Sequence, residues 1–207
     1  MKILIVDDAK VHQVSAFQVL ADHDLTVAKS YDEGLRLLMP LGMPYIKKGV
    51  PGGQYDVVLS DLLMPACGMM MAEPEKWIGN EQPLGWALVL RAVLNGAKYA
   101  ALVSDGDHHD HPASFALEGV DNAEDTWNPA SFDDEGLPPK KPQFVINGAT
   151  VGFFYRGPSR LVQDMYGCAW KCNRGKDGKG NPCRACNGTG FARGKDWARV
   201  VQCLVGG

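Results

Sequence analysis

The stretch Tyr55-Asp56-Val57-Val58-Leu59-Ser60-Asp61-Leu62-Leu63-Met64-Pro65 decides the fold, because it predicts a short buried strand that ends in a carboxylate. Its apolar run is uninterrupted, which is typical of a parallel strand that is covered on both faces. Met64-Pro65 ends the segment, because proline donates no backbone hydrogen bond and disfavours helix at the residue before it. We therefore expect Asp61 at the carboxyl end of an interior strand.

A second apolar run, Ile3-Leu4-Ile5-Val6, leads directly into Asp7 and Asp8. If the two strands are parallel neighbours, the three carboxylates meet at the edge where open parallel sheets bind ligands. Three acids repel one another unless a cation lies between them, and oxygen ligands suit Mg²⁺. The alternative is that Asp7 and Asp8 only cap the following helix, since acids stabilise helix N-termini.

Together with Ala100-Ala101-Leu102-Val103-Ser104, these stretches make the first half of the chain resemble the receiver domain of two-component response regulators. The resemblance implies a flavodoxin-like, doubly wound α/β fold with five parallel strands in the order 2-1-3-4-5. It implies that Asp61 accepts a phosphoryl group from a histidine kinase or phosphotransfer protein and that this changes binding to an output protein. Such a domain has at most autophosphatase activity of its own.

The resemblance also implies roles for individual residues of the site. Mg²⁺ would be held by Asp7, Asp8, Asp61 and the backbone carbonyl of Leu63, and Ser104 would bind a phosphoryl oxygen. In the family, the fifth strand ends in a lysine that contacts the phosphoryl group.

Two segments compete for the role of that fifth strand. If it is Thr150 to Tyr155, Arg156 takes the position of the lysine and Phe153 that of the family's switch aromatic, although arginine differs from lysine in geometry. If it is Phe144 to Ile146, no basic residue serves the site. In either case the site departs from the family pattern, and a degenerate receiver that acts as a binding scaffold with structural zinc is the alternative function.

Apolar spacing and turn residues predict the remaining elements. Helices are expected over about Lys10–Ala21, Ser30–Leu38, Pro83–Asn95 and Asp196–Leu204, strands over Leu25–Ala28 and Tyr99–Val103, and a hairpin around Asn147-Gly148. In the first helix, Val11, Val14 and Phe17 mark the apolar face, which leaves His12 on the solvent-exposed face. The last helix is expected to pack on the sheet with Cys203 as a core residue.

A histidine-rich segment follows Ser104 at the predicted ligand-binding edge. His108, His109 and His111, with the acids between Asp105 and Asp110, have side chains that suit zinc, but their spacing fits no known motif. The histidines would otherwise give the phosphoryl site a pH dependence or simply be solvated. A metal-dependent hydrolase that uses the aspartates and these histidines is a further hypothesis.

Four cysteines form two pairs near the C-terminus, Cys168 with Cys172 and Cys183 with Cys186. In a reducing compartment, two such pairs in a polar, glycine-rich segment predict tetrahedral zinc, and disulfides are the alternative. The second pair, with Asn187-Gly188-Thr189-Gly190, resembles a knuckle of DnaJ-type zinc modules. The expected organisation is a receiver-like domain over 1–165 with insertions at about 66–82 and 106–142, a zinc module over 166–190, and a final helix and tail over 191–207.

Composition narrows the class of protein. The chain has 207 residues, 45% of them hydrophobic, and a net charge of −3, so its overall charge does not predict binding to nucleic acid. Basic residues do gather around the cysteines and could contact phosphates there (Lys171, Arg174, Lys176, Lys179 and Arg184). No segment approaches the roughly 20 apolar residues of a membrane helix, and the N-terminal apolar run is too short for a signal peptide. We expect a cytoplasmic protein that does not bind membranes.

Overall fold

The fold is α/β, with helices on both faces of a mostly parallel sheet. The computed structural model describes residues 1–39, 55–65, 79–104, 112–113, 143–154, 159–162, 176, 179–181 and 192–206. The strands are β1 (Lys2–Val6), β2 (Asp24–Ala28), β3 (Val57–Ser60), β4 (Met64–Pro65), β5 (Glu81–Gln82), β6 (Tyr99–Val103), β7 (Gln143–Ile146), β8 (Ala149–Phe154), β9 (Ser159–Val162) and β10 (Ala192–Lys195). The helices are α1 (Lys10–Val19), α2 (Tyr31–Leu38), α3 (Gly85–Leu94) and α4 (Trp197–Val205).

Within the described residues, the central sheet has six strands in the order β2-β1-β3-β6-β8-β7. Neighbouring strands from β2 to β8 are parallel, and β7 is antiparallel to β8. The prediction of an α/β fold with a parallel sheet is confirmed, but the strand count and order of the sheet differ from the predicted ones, because a sixth, antiparallel strand lies beside β8 at the edge. The extra edge strand arises because Asn147 (φ 51°) and Gly148 (φ 81°) form a tight turn with two left-handed residues, which folds β7 back onto β8.

Alternate residues of each central strand face opposite sides of the sheet, and two helices cover each side. On the side that α1 and α4 cover, the core contains strand residues (Ile3, Ile5, Val57, Leu59, Ala101, Val103 and Phe154) and helix residues (Ala16, Leu20, Trp197, Val200, Val201 and Leu204). On the opposite side, which α2 and α3 cover, the core contains Leu4, Val6, Val58, Leu38, Leu88 and Ala92. Full burial of each large aliphatic side chain contributes about 1.5–3 kcal/mol, so both layers stabilise the sheet.

The last helix follows the predicted pattern. Asp196 precedes α4, and its Oδ1 accepts a hydrogen bond from the backbone N–H of Arg199 at 3.3 Å. Trp197, Val200 and Leu204 are buried, and Cys203 is a half-buried thiol at the margin of the same core. The helix therefore packs on the sheet, as its apolar spacing predicted.

The described part of the chain also contains two short ribbons outside the central sheet. β4 pairs antiparallel with β5, and β9 pairs antiparallel with β10. Among the described residues, no helix has the length and hydrophobicity needed to cross a lipid bilayer.

Candidate functional site

Strand pairing brings three carboxylates together at the carboxyl edge of the sheet. β1 and β3 are in register with Val6 opposite Ser60, and the backbone N–H of Asp61 donates to the carbonyl of Val6 at 2.8 Å. One carboxylate oxygen from each of Asp7, Asp8 and Asp61 lies within 4.8 Å of the others. Asp7 and Asp61 are buried, whereas Asp8 is exposed. The structure thus places the three predicted acids in one cluster.

Lys195 extends into this cluster and forms ion pairs with two of its acids. Its Nζ lies 2.7 Å from Asp7 Oδ2 and 3.0 Å from Asp61 Oδ1, and its side chain is only 1% exposed. Arg156, which was expected in this position, lies outside the described residues. The alternative that no basic residue serves the site is wrong, because Lys195 does. Its premise, that Phe144 to Ile146 is the fifth parallel strand, is also wrong, because that strand is β8 and not β7.

Sequence reasoning missed Lys195 because it looked for a lysine at the end of the fifth central strand. The lysine instead ends β10, which pairs with β9 outside the central sheet. One signal in the sequence could have found Lys195. It is the basic residue directly before Asp196, the predicted start of the final helix.

Local hydrogen bonds hold the acids in place. Asp7 Oδ1 accepts from the backbone N–H of Ala9 at 2.9 Å, and Asp61 Oδ1 accepts from the backbone N–H of Leu62 at 2.8 Å. The amide of Gln13 on α1 donates to the carbonyl oxygens of Asp7, at 2.9 Å, and of Asp8, at 3.2 Å. The N-cap residue of α1 is Ala9, and no side chain caps the helix, so the alternative that Asp7 and Asp8 only cap α1 is wrong.

The electrostatics of the cluster favour a bound cation. Partial dehydration, followed by the charge of Asp7, raises the pKa of Asp8 above its usual value. When all four groups are ionised, three carboxylates and the Lys195 ammonium leave a formal charge of −2. A divalent ion with a preference for oxygen ligands fits this donor set, and Asp8 gives it an approach from solvent.

The other predicted residues of the site occupy positions around the cluster. Ser104 follows β6 at the same edge, is buried, and donates its backbone N–H to the carbonyl of Phe154 at 2.8 Å. Leu63 lies between β3 and β4 and packs on the core beneath α3. The ring of Phe153 is buried between Trp86 and Phe144, with centroid distances of 4.8 and 5.3 Å.

Both predicted transition-metal sites lie outside the described residues. These are the loop with His108, His109 and His111, and the segment with Cys168, Cys172, Cys183 and Cys186. The four cysteines do occupy a defined place in the chain, between β9 and β10. The segment that carries them therefore connects the two strands of the ribbon that ends in Lys195.

His12 is buried, which contradicts the prediction that it faces solvent. Its Nδ1 accepts a hydrogen bond from the backbone N–H of Lys195 at 3.2 Å, and its carbonyl accepts one from the indole N–H of Trp197 at 2.9 Å. Ser15 is also buried, and its hydroxyl donates to the carbonyl oxygen of Lys195 at 2.6 Å. The polar face of α1 is therefore an inner surface that contacts the lysine.

Comparisons of the chain with protein-family models, with curated proteins and with solved structures gave no match. The functional interpretation therefore depends on the geometry of the site. A buried carboxylate with an ammonium group 3.0 Å away, beside two further acids, is suited to accept an anionic group while a cation offsets its charge.

Proposed function

We propose that this chain is a receiver-like signalling protein in which Asp61 accepts a phosphoryl group in the presence of Mg²⁺. The single observation that supports the proposal most is the contact of Lys195 with Asp61 beside Asp7 and Asp8. A nucleophilic carboxylate, a cation for the phosphoryl oxygens and acids that hold a metal are the groups that phosphoryl transfer to an aspartate requires. All of them lie at the carboxyl edge of a parallel sheet, where ligands of such folds bind.

The proposed chemistry is a displacement at phosphorus. A carboxylate oxygen of Asp61 forms a bond to phosphorus while the bond from phosphorus to the donor breaks. With a phosphohistidine donor, the P–N bond breaks and the released imidazole nitrogen takes a proton from solvent. With a small acyl phosphate, the P–O bond breaks and the carboxylate leaves as an anion. Lys195, already within 3.0 Å of Asp61 Oδ1, is placed to offset the charge of the incoming phosphoryl oxygens.

Mg²⁺ fits the donor set of Asp7, Asp8 and Asp61, with the Leu63 carbonyl as a further ligand that the resemblance suggests. When bound, the ion would offset the negative charge of the acids and of the phosphoryl group. Asp7 keeps its position through the N–H of Ala9 and the ammonium of Lys195, so the protein orients this ligand before any ion arrives. In the proposal, Ser104 binds a phosphoryl oxygen at the same edge and thereby links phosphorylation to a change in partner binding.

The proposed partners are a histidine kinase or phosphotransfer protein, which donates the phosphoryl group, and an output protein that recognises the phosphorylated form. Zinc at Cys168, Cys172, Cys183 and Cys186 completes the proposal. The spacing of these cysteines in the sequence is what supports zinc.

The test is phosphorylation by a small acyl phosphate with and without Mg²⁺, measured as the intact mass of the protein. We expect one Mg²⁺-dependent phosphate on the wild type and none on Asp61→Asn. Asp56→Asn is the matched control, because Asp56 precedes the same strand at its opposite end, where its carboxylate bonds the backbone N–H of Lys2 at 2.9 Å. Equal phosphorylation of wild type and Asp61→Asn, or an unphosphorylated wild type, would contradict the proposal.

A further inference from the structure

Lys195 reaches Asp7 and Asp61 from a strand that does not belong to the central sheet. β10 pairs with β9 in a separate two-stranded sheet, with Lys195 opposite Ser159 at the end of the ladder. Asp7 and Asp61 follow β1 and β3, which are paired in the central sheet. The ladder of the central sheet therefore fixes the two acids but leaves the lysine to be positioned by other contacts.

Those contacts come from one face of α1. The backbone N–H of Lys195 donates to His12 Nδ1 at 3.2 Å, and its carbonyl accepts from the Ser15 hydroxyl at 2.6 Å. His12 and Ser15 are three positions apart, so they project from the same side of the helix. Both polar groups of the lysine backbone are thus bound by α1, the helix whose N-cap residue, Ala9, follows Asp7 and Asp8.

A third contact closes this arrangement on the other side of the lysine. The indole N–H of Trp197 donates to the carbonyl of His12 at 2.9 Å, and Trp197 is completely buried. The Lys195 ammonium lies 5.4 Å from the centroid of the same ring. The residues on both sides of Asp196 are therefore attached to one turn of α1.

We propose that His12 and Ser15 are positioning residues that hold the backbone of Lys195 so that its ammonium group reaches Asp7 and Asp61. The inference deepens the proposed function and relies on it for one of its two readouts. It also assigns a protonation state to His12. Because Nδ1 accepts a hydrogen bond from a backbone N–H, the imidazole carries no proton on Nδ1 in this arrangement.

The first readout is the NMR signal of the Lys195 ammonium, which requires neither phosphorylation nor metal. A buried ammonium that is bonded to carboxylates exchanges its protons with water slowly, and Lys195→Met identifies its signal by removing it. We expect His12→Ala and Ser15→Ala to weaken or abolish the signal. His12→Asn should retain it, because asparagine Oδ1 and histidine Nδ1 are both bonded to Cγ and both accept hydrogen bonds.

The second readout is the rate of phosphorylation by a small acyl phosphate at saturating Mg²⁺. We expect His12→Ala to lower the rate about ten- to a hundred-fold, since displacing a reacting group by about 1 Å can cost about a hundred-fold. His12→Asn should recover most of the loss. His23→Ala is the matched control, because His23 lies past the opposite end of α1 and should change neither readout.

The outcomes separate this inference from the proposed function. An unchanged ammonium signal in both His12→Ala and Ser15→Ala would overturn the inference even if the wild type is phosphorylated. Loss of the signal in these variants and its retention in His12→Asn would support it even if the wild type is not phosphorylated. If His12→Ala does not fold, Ser15→Ala decides the matter, because it removes a single oxygen atom from the contact.

Discussion

The ammonium nitrogen of Lys195 lies 3.0 Å from Asp61 Oδ1, although Asp61 follows a strand of the central sheet and Lys195 ends a strand outside it. The same nitrogen lies 2.7 Å from Asp7 Oδ2. One buried cation thus joins the carboxyl ends of two neighbouring strands. Its removal would leave two buried carboxylates without this counter-charge, which makes the lysine important for stability as well as for the proposed chemistry.

Lys195→Met is expected to lower the free energy of unfolding by about 3–5 kcal/mol in the absence of divalent ions, because it breaks a buried ion pair. Added Mg²⁺ should recover part of this loss, since the ion would offset the same carboxylates. Urea denaturation with and without Mg²⁺ measures both effects. Lys98→Met is the control, because Lys98 pairs with Asp56 at 3.2 Å but is 71% exposed, and such surface pairs contribute about 0–1 kcal/mol. Equal losses in the two variants would contradict the prediction.

Asp8→Asn is expected to stabilise the metal-free protein at neutral pH. The pKa of Asp8 in the folded state lies above its ordinary value of 3.8, so the folded protein disfavours the ionised form. The destabilising contribution of Asp8 should therefore diminish as the pH falls through its folded-state pKa, and the difference in stability between wild type and Asp8→Asn should disappear below pH 3.8. Urea denaturation over a pH series measures this difference.

Asp56→Asn provides a control of opposite sign. The hydrogen bond from the backbone of Lys2, followed by that from Lys98, lowers the pKa of Asp56. Its stabilising effect should be present above the ordinary pKa of 3.8 and be lost as the pH falls through the folded-state pKa. A stability advantage of Asp8→Asn that does not change with pH would contradict the assigned cause.

The central strands and the acid cluster were predictable because their signals are local. β1 and β3 are apolar runs that end in acids, and the pairing of such runs in a parallel sheet places those acids together. Asn147-Gly148 similarly predicted a hairpin, which the structure confirms. The sequence did not show that this hairpin adds β7 to the edge of the central sheet, because nothing local distinguishes an edge strand from a central one.

The position of Lys195 could not be predicted in the same way. The stretch Ala192-Arg193-Gly194-Lys195 has neither an apolar run nor an apolar–polar alternation, so its strand depends on pairing with β9 and on contacts with α1. The buried face of α1 was also predicted wrongly. Phe17 is 57% exposed, whereas His12, Gln13 and Ser15 are buried, since each of these polar groups has a hydrogen-bond partner near the site.

Gly85→Ala is expected to destabilise the protein and to displace Asp61. A Cβ atom at Gly85 would overlap the backbone oxygen of Asp61 and lie 2.8 Å from Leu102 Cδ2. Because backbone cannot move as easily as a flexible side chain, we expect a loss of about 3 kcal/mol or more, at the upper end for overpacked sites. The measurements are urea denaturation and the rate of phosphorylation.

Ala87→Gly is the control for this helix, because Ala87 is exposed and the change should cost only about 1 kcal/mol of helix propensity. Its rate of phosphorylation should equal that of the wild type. A Gly85→Ala variant as stable as Ala87→Gly would show that the close approach of α3 to Asp61 is not required.

Zinc removal is expected to loosen the ribbon that ends in Lys195. The four cysteines lie between β9 and β10 in the sequence, so a metal that joins them would shorten the stretch of chain that connects the two strands, and metal binding of this kind contributes directly to folding. Elemental analysis should find one zinc ion per chain, lost in Cys183→Ser and retained in Cys203→Ser, because Cys203 is a half-buried thiol on α4.

Chelation of the zinc should also speed hydrogen exchange at the backbone amides of β10, while the amides of β1 and β3 remain protected. A purified protein without zinc, or equal zinc content in both cysteine variants, would exclude zinc binding by the four cysteines. Unchanged hydrogen exchange in β10 after chelation would show that the cysteine segment does not help to position Lys195.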